Sequence, residues 1–277
     1  MLSSPQYTCP PPYREGEGCM YRGLSMSFGS MLADIGRRPL YRHATAVMWR
    51  RCLSIRSQFC DAVVASGLLT WEQMVSAACR YCVGATKKGG VIFWQIDHEG
   101  RVHDGKVMYY QRDCHRCKDE EHRPTWVSAI LKHRDPFPGA PHATSHCFFG
   151  LHLLSSAEFA VRQPCVVVVE AEKTAFVLSE RYPQYIWLAT GGMGEVQPDK
   201  FRPLRGRRVI MMPDTDPDGT AFSRWHEAAR TVMQSAFWED SPPIHVSAFL
   251  ELHATPDQKR RKIDLLDYVM EVNSEHL

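Results

Sequence analysis

The sequence predicts an α/β protein with a Rossmann-like open parallel sheet in its C-terminal half. A smaller mixed α+β part containing a β-hairpin precedes it. Three observations predict this. From Cys165 onward, short apolar runs alternate with helical stretches. Polar and acidic residues stand directly after several of those runs. Upstream, the apolar spacing changes at Gly89 from three-and-four to the run, turn and run of a hairpin.

Taken in order, residues 1–25 are rich in Pro, Ser and Gly and are expected to form a loose tail. A first domain is expected over 26–160 and a second over 161–277. Ala44–Leu53, Phe59–Ser66 and Trp71–Tyr81 carry apolar residues at helical spacing, and Thr70 with Gln73 has the spacing of a capping box. Gly84 stops that helix. Val91–Ile96 reads as a strand, Asp97–Gly100 as a turn, and Arg101–Val102 with Gly105–Tyr110 as the returning strand. Residues 119–146 are polar, with one short helix around Trp126–Leu131. Cys165–Val169 is a β-branched run of the sort buried on both faces of a parallel sheet. Helix Glu172–Arg181, strand Tyr185–Ala189, strand Val209–Met212, helix Thr220–Phe237, strand Ile244–Leu250 and helix Asp264–Val272 complete the pattern.

Composition narrows the function classes. The 277 residues are 44% hydrophobic and 23% charged, which excludes fibrous and disordered chains. No apolar run approaches the roughly 18 residues of a membrane span, and the first twenty residues lack the apolar core of a signal peptide. A cytoplasmic protein without a membrane partner is expected. Lys and Arg total 33 against 31 Asp and Glu, a net charge of +2, whereas a nucleic-acid coat would be far more basic. An enzyme gripping nucleic acid through one groove while holding metal on carboxylates would balance near zero, so charge alone leaves both readings open.

Ten cysteines without a signal peptide point to free thiols or a metal site. Cys79 with Cys82 and Cys114 with Cys117 form two C-x2-C pairs, separated by 31 residues that contain the hairpin. Such knuckles would hold zinc if they converge; otherwise Cys79 and Cys82 sit on a helix with one facing the core.

Carboxylates at two strand ends carry most of the chemistry. Glu170 follows the strand ending at Val169, and Asp214, Asp216 and Asp218 follow the strand ending at Met212. If these strands are parallel neighbours, the acids meet on one edge. Like charges there call for a hard divalent cation, Mg²⁺ or Mn²⁺, which takes oxygen ligands and reaches phosphate. Asp214–Gly219 also matches the first half of an EF-hand loop, but the twelfth position is Trp225 and a strand precedes it, so that reading fails. An Asp-rich turn capping the next helix is the competing reading.

Glu170-Ala-Glu-Lys-Thr-Ala175, Thr190-Gly-Gly192 and Asp214-x-Asp216-x-x-Gly219 together resemble the toprim domain, the metal-binding fold of bacterial-type primases, topoisomerases and some nucleases. The likeness covers about residues 164–270. The Glu-x-Glu-Lys form is similar to primase-like toprims of phages and mobile elements. The family often has Gly after the glutamate and an acid four residues on; here these are Ala171 and Thr174. Tyr81–Gly84, Lys87–Phe93, Asp97–Gly100 and Gly105–Tyr110 resemble the segment before toprim in phage and plasmid primases. The two halves together resemble an uncharacterised primase-like family of mobile elements. Asp264 and Asp267 occupy the place of a late acidic motif, and Asp264 equally suits a helix N-cap.

The resemblance implies a metal-dependent DNA primase-like nucleotidyltransferase acting on a single-stranded DNA template and nucleoside triphosphates, with a helicase or relaxase as companion. Glu170, Asp214 and Asp216 would be catalytic and, with Asp218, hold the metal. Lys87, Lys88, Arg101 and Lys106 on the hairpin, Lys173 beside the acids, and Arg202, Arg205, Arg207 and Arg208 on a loop are candidate nucleic-acid or nucleotide contacts. Trp94, Tyr109 and Tyr110 are candidates for base stacking or for the core. A toprim nuclease and a non-catalytic DNA-binding accessory protein are the alternatives.

Overall fold

The structure, a computed structural model, describes residues 53–132 and 146–274. The expected tail, Cys9, Cys19 and the helix expected over Ala44–Leu53, apart from Leu53 itself, lie outside the described residues. Helices α1 (Gln58–Ala65) and α2 (Trp71–Arg80) come first. The capping box is present on α2: Thr70 and Gln73 each accept the other's backbone N–H, satisfying two donors that a helix start leaves without partners.

An antiparallel sheet follows in the order β1 (Gly84–Ala85), β2 (Val91–Ile96), β3 (Val102–Met108) and β4 (Thr125–Trp126). Trp94 lies opposite Gly105. A Cβ at Gly105 would stand 2.7 Å from the Trp94 ring and from Ile92, so only glycine lets the indole lie across the strand. The returning strand ends at Met108, two residues before the expected limit. Tyr109 and Tyr110, like Trp94, are buried, which makes them core residues and not base-stacking platforms. Helix α3 (Val127–Lys132) follows β4 directly.

The second sheet is wholly parallel, ordered β6 (Ile186–Ala189), β5 (Val166–Val169), β7 (Val209–Met211) and β8 (His245–Val246). All four valines of β5 are buried, as their unbroken β-branched run predicts. Helices α4 (Ala157–Arg162), α5 (Glu172–Arg181), α6 (Thr220–Met233), α7 (Phe249–His253), α8 (Pro256–Arg261) and α9 (Leu265–Ser274) connect and cover these strands.

Two expected elements are shorter than predicted. The strand over Ile244–Leu250 is reduced to His245–Val246, because Ser247 N–H closes onto Met211 and the Ser247 hydroxyl then accepts the Phe249 N–H, turning the chain into α7. Helix α6 stops at Met233, where Ser235 bends back onto the Val232 carbonyl through both its N–H and its hydroxyl.

Apolar side chains from both sides of residue 160 share one core. Phe59, Tyr81, Phe93 and Phe149 pack with Phe176 and Trp187. Tyr81 stacks on Phe149 at 4.8 Å, and its hydroxyl donates to the Trp187 carbonyl at 2.8 Å. Arg80 reaches Glu180 of α5 at 2.8 Å, so α2 is fastened to the helix that follows the first acidic strand.

Candidate functional site

Strand pairing brings the acids to one edge. Strand β5 pairs in parallel with β7, so Glu170 and Asp214 leave neighbouring strands at their carboxyl ends, where open α/β sheets bind ligands. The Thr190–Gly192 turn closes the other side, with Gly191 N–H donating to the Glu170 carbonyl at 2.9 Å. Gly191 has φ +87, and a Cβ there would stand 3.0 Å from Glu172 Oε1. Thr215 N–H donates to the Ile263 carbonyl at 3.2 Å, which lays the start of α9 beside Asp214.

This juxtaposition adds Asp264 and Asp267 to the centre. Burial, and then the charges of Asp264, Glu170 and Asp267, push the Asp214 carboxyl well above the usual carboxylate range, against the pull of Lys173. Burial and Asp264 likewise raise Asp267. Lys173 Nζ lies 3.3 Å from Asp267 and 4.0 Å from Asp264. Burial opposes its charge, yet the two aspartates hold its ammonium above the ordinary range. Lys173 is therefore the internal counter-ion of the acids and not a solvated helix lysine. Thr174, where the toprim pattern often has an acid, hydrogen-bonds Asp264. Asp264 also accepts the Asp267 N–H at 2.8 Å, so the two readings of this motif hold together: it caps α9 and faces Asp214.

Asp216 is placed differently. Its carboxylate accepts the N–H groups of Asp218 at 3.1 Å, Thr220 at 2.9 Å and Ala221 at 2.7 Å. Despite some burial, these bonds hold it below its ordinary range. It serves the N-terminus of α6, the work the competing reading gave to an Asp-rich turn, while Asp218 is exposed. Among the described residues, Glu170, Asp214 and Asp216 do not gather with all ligand atoms within 4.8 Å, and neither do any three of Cys79, Cys82, Cys114 and Cys117. For the acids the reason is mutual repulsion and the competing N–H groups at Asp216. For the thiols, Cys79, Cys82 and Cys114 are buried as core residues while Cys117 is half-buried, so the expected four-cysteine zinc knuckle is not formed.

The basic candidates divide. Lys106 Nζ lies 3.2 Å from the buried Glu172 and donates to the Gly191 carbonyl at 2.6 Å, joining the two sheets. Arg101 pairs with Asp97 and Glu99, both at 2.6 Å, and closes the hairpin turn. Arg207 is half-buried and donates to the Leu154 carbonyl at 3.3 Å, while Arg202 pairs with Asp199 and lies over the Phe237 ring. Lys87, Lys88, Arg205 and Arg208 are exposed. Long-range partners such as Glu172, 66 residues from Lys106, leave no local signal. Asp264 and Asp267 did leave one, their Asp-x-x-Asp spacing, but a helix cap produces the same pattern.

The acidic centre is crowded, with Asp214 driven toward its protonated form and Lys173 paired to the α9 aspartates, and among the described residues no three of its carboxylates bring ligand atoms within 4.8 Å of one another.

An open parallel sheet carrying an acidic centre on its carboxyl edge is the class of protein these residues define. Residues 58–215 match the family described as "Domain of unknown function (DUF6371)", which is more than half of the chain, and the chain belongs to that family. The match includes Glu170 and Asp214 and ends before Asp216 and the α9 aspartates. Among solved structures, the chain is similar to the primase fragment of the bacteriophage T7 primase-helicase protein, at 13% identity and a TM-score of 0.38, over 67% of this chain and 70% of that one. It is also similar to a chain in the structure of the bacteriophage T7 lagging-strand DNA polymerase interacting with primase domains bound to an RNA/DNA hybrid and dTTP. That likeness has 14% identity and a TM-score of 0.35, over 64% of this chain and 78% of the other. No curated protein matches. Among the described residues, no helix is long and apolar enough to cross a membrane.

Proposed function

We propose that this chain is a metal-dependent, primase-like nucleotidyltransferase that makes short primers on single-stranded DNA for a mobile element. The observation that carries the proposal is that Glu170, Asp264, Asp267 and Lys173 all act on Asp214 at the carboxyl ends of β5 and β7. The resemblance of these motifs to toprim supports the reading, since it implies a metal-binding role for the acids matched by Glu170 and Asp214. Glu170 and Asp214 would hold Mg²⁺ or Mn²⁺, with Asp264 and Asp267 beside them. When bound, the ion would neutralise the phosphate oxygens of a nucleoside triphosphate and the charge that develops during transfer.

The chain's own residues supply position and electrostatics. Lys173 pairs with the α9 aspartates, 3.3 Å from Asp267 and 4.0 Å from Asp264, and partly offsets the crowding around Asp214. The Thr190–Gly192 turn has no side chain beyond Thr190 and admits a phosphate chain to the edge. Asp216 anchors the N-terminus of α6 and so fixes the loop that carries Asp214. Because Arg101, Lys106 and Lys173 are engaged in ion pairs, Lys87, Lys88, Arg205 and Arg208 are assigned to the template or primer backbone.

The test is incubation of the full chain with single-stranded DNA, labelled ribonucleoside triphosphates and Mg²⁺ or Mn²⁺. Short labelled RNA is expected, falling at least ~100-fold in Asp214→Asn. Cleavage of the DNA without incorporation would replace this reading with a nuclease. Salt-sensitive binding without turnover would replace it with an accessory protein.

A further inference from the structure

The long connection between β3 and β4 carries a cluster that the acidic centre does not use. Cys117, Asp119 and His122 each present a ligand atom within 4.8 Å of the other two, and they are the one such trio of His, Cys, Asp or Glu among the described residues. We propose that these three residues form a second metal site, for a borderline transition ion of the zinc class, with water completing the coordination.

The donor chemistry separates this site from the acidic edge. A thiolate, an imidazole and one carboxylate select zinc-like ions, whereas the carboxylates around Asp214 suit Mg²⁺ or Mn²⁺. In a closed tetrahedral site the donors stand about 3.5 Å apart. Asp119 and His122 already meet at 2.7 Å, Asp119 is exposed and His122 half-exposed, and all three ligand atoms lie within 4.8 Å of one another.

The local structure already holds the trio. Cys117 N–H donates to the Tyr109 carbonyl at 2.9 Å, which fixes the thiol at the end of β3. Asp119 Oδ1 accepts the His122 N–H at 3.1 Å and meets His122 Nδ1 at 2.7 Å. The imidazole packs on the Tyr109 ring at 4.6 Å. These contacts hold the Asp119 and His122 side chains together beside Cys117 before any ion is bound.

The placement also suggests what the ion does. From Tyr109 to Pro124 the chain contains no helix or strand, and β4 has only two residues to tie it back to β3. An ion bridging Cys117 to His122 clips this excursion just before β4. The same excursion carries Cys114, which is buried in the core that also holds Phe176 of α5. The clip thus steadies a segment anchored in that core.

The experiment is a Co²⁺ titration of the chelator-stripped full chain, kept reduced without added thiol. One equivalent of Co²⁺ is expected to produce a thiolate-to-metal charge-transfer band. Zn²⁺ should abolish it, and Mg²⁺ in ~100-fold excess should not. The band should vanish in Cys117→Ser, and the affinity should fall at least ~10-fold in the surface variant His122→Gln. It should persist in Asp214→Asn, so failure here is distinct from failure of the primase reading. Absence of the band in the wild-type chain, its survival in Cys117→Ser, or an unchanged titration in His122→Gln would each overturn the proposal.

Discussion

Asp97 and Asp214 both stand just past the carboxyl end of a strand, one in each sheet, and their surroundings treat them in opposite ways. Asp97 is buried at the end of β2. Its Oδ1 accepts the N–H groups of Glu99 and Arg101, both at 2.9 Å, and its Oδ2 meets Arg101 at 2.6 Å and His103 at 3.0 Å. Although burial works against its charge, these partners hold the carboxyl well below the usual range. Asp214 follows β7, is surrounded by three other acids, and receives no hydrogen bond among the described residues; its carboxyl is pushed the other way. The first arrangement is complete as it stands. The second is crowded with like charge that Lys173 only partly offsets, an arrangement that costs stability as it stands.

The largest effect is expected where the two sheets meet. Lys106→Met leaves the buried Glu172 without its cation, and stability should fall by about 3–5 kcal/mol. Urea unfolding measures this, and a loss under about 1 kcal/mol would return Lys106 to the pool of free nucleic-acid contacts. Asp97→Ala should follow at about 2–4 kcal/mol, since two backbone donors, Arg101 and His103 lose their acceptor together. The pH dependence gives the sign. Because the folded carboxyl lies below its unfolded value of about 4, its contribution is fully present above that pH and fades as pH falls through the folded value. The gap between wild type and Asp97→Ala should therefore close on acidification, and a gap that widened would show that Asp97 is not held ionised.

Legibility in the sequence followed the range of the interactions involved. The Thr70–Gln73 box, strand Val91–Ile96 and helix Glu172–Arg181 are fixed by neighbours within a few residues and match their expected limits. The strand expected over Ile244–Leu250 is cut to His245–Val246 because Ser247 accepts the Phe249 N–H and turns the chain into α7, a local turn that the apolar residues do not signal. The pairing of β5 with β7 stood in the sequence only as a condition for the acids to meet, and the register of the sheet supplies it. What stayed hidden was the division of labour in Asp214-Thr-Asp216. Two aspartates two residues apart are equivalent on paper, yet one accepts the N–H groups at the N-terminus of α6 and the other faces Glu170 and the α9 aspartates. Cys117 shows the same limit: its C-x2-C spacing pointed to cysteine partners, while its neighbours in space are Asp119 and His122.

The smallest change, and the one that bears most directly on function, is Asp214→Asn. It removes a charge that three carboxylates and burial oppose, so the metal-free protein should gain about 1–2 kcal/mol. The sign is opposite to that at Asp97. A carboxyl raised in the folded state contributes fully below its unfolded value and loses that contribution as pH rises, so the variant's advantage should grow toward neutral pH. Mg²⁺ should then raise the melting temperature of the wild type more than that of the variant, because the variant lacks one of the two carboxylates proposed to hold the ion. If Asp214→Asn destabilised the chain instead, Asp214 would be a satisfied structural acid like Asp97, and the contrast between the two strand ends would collapse.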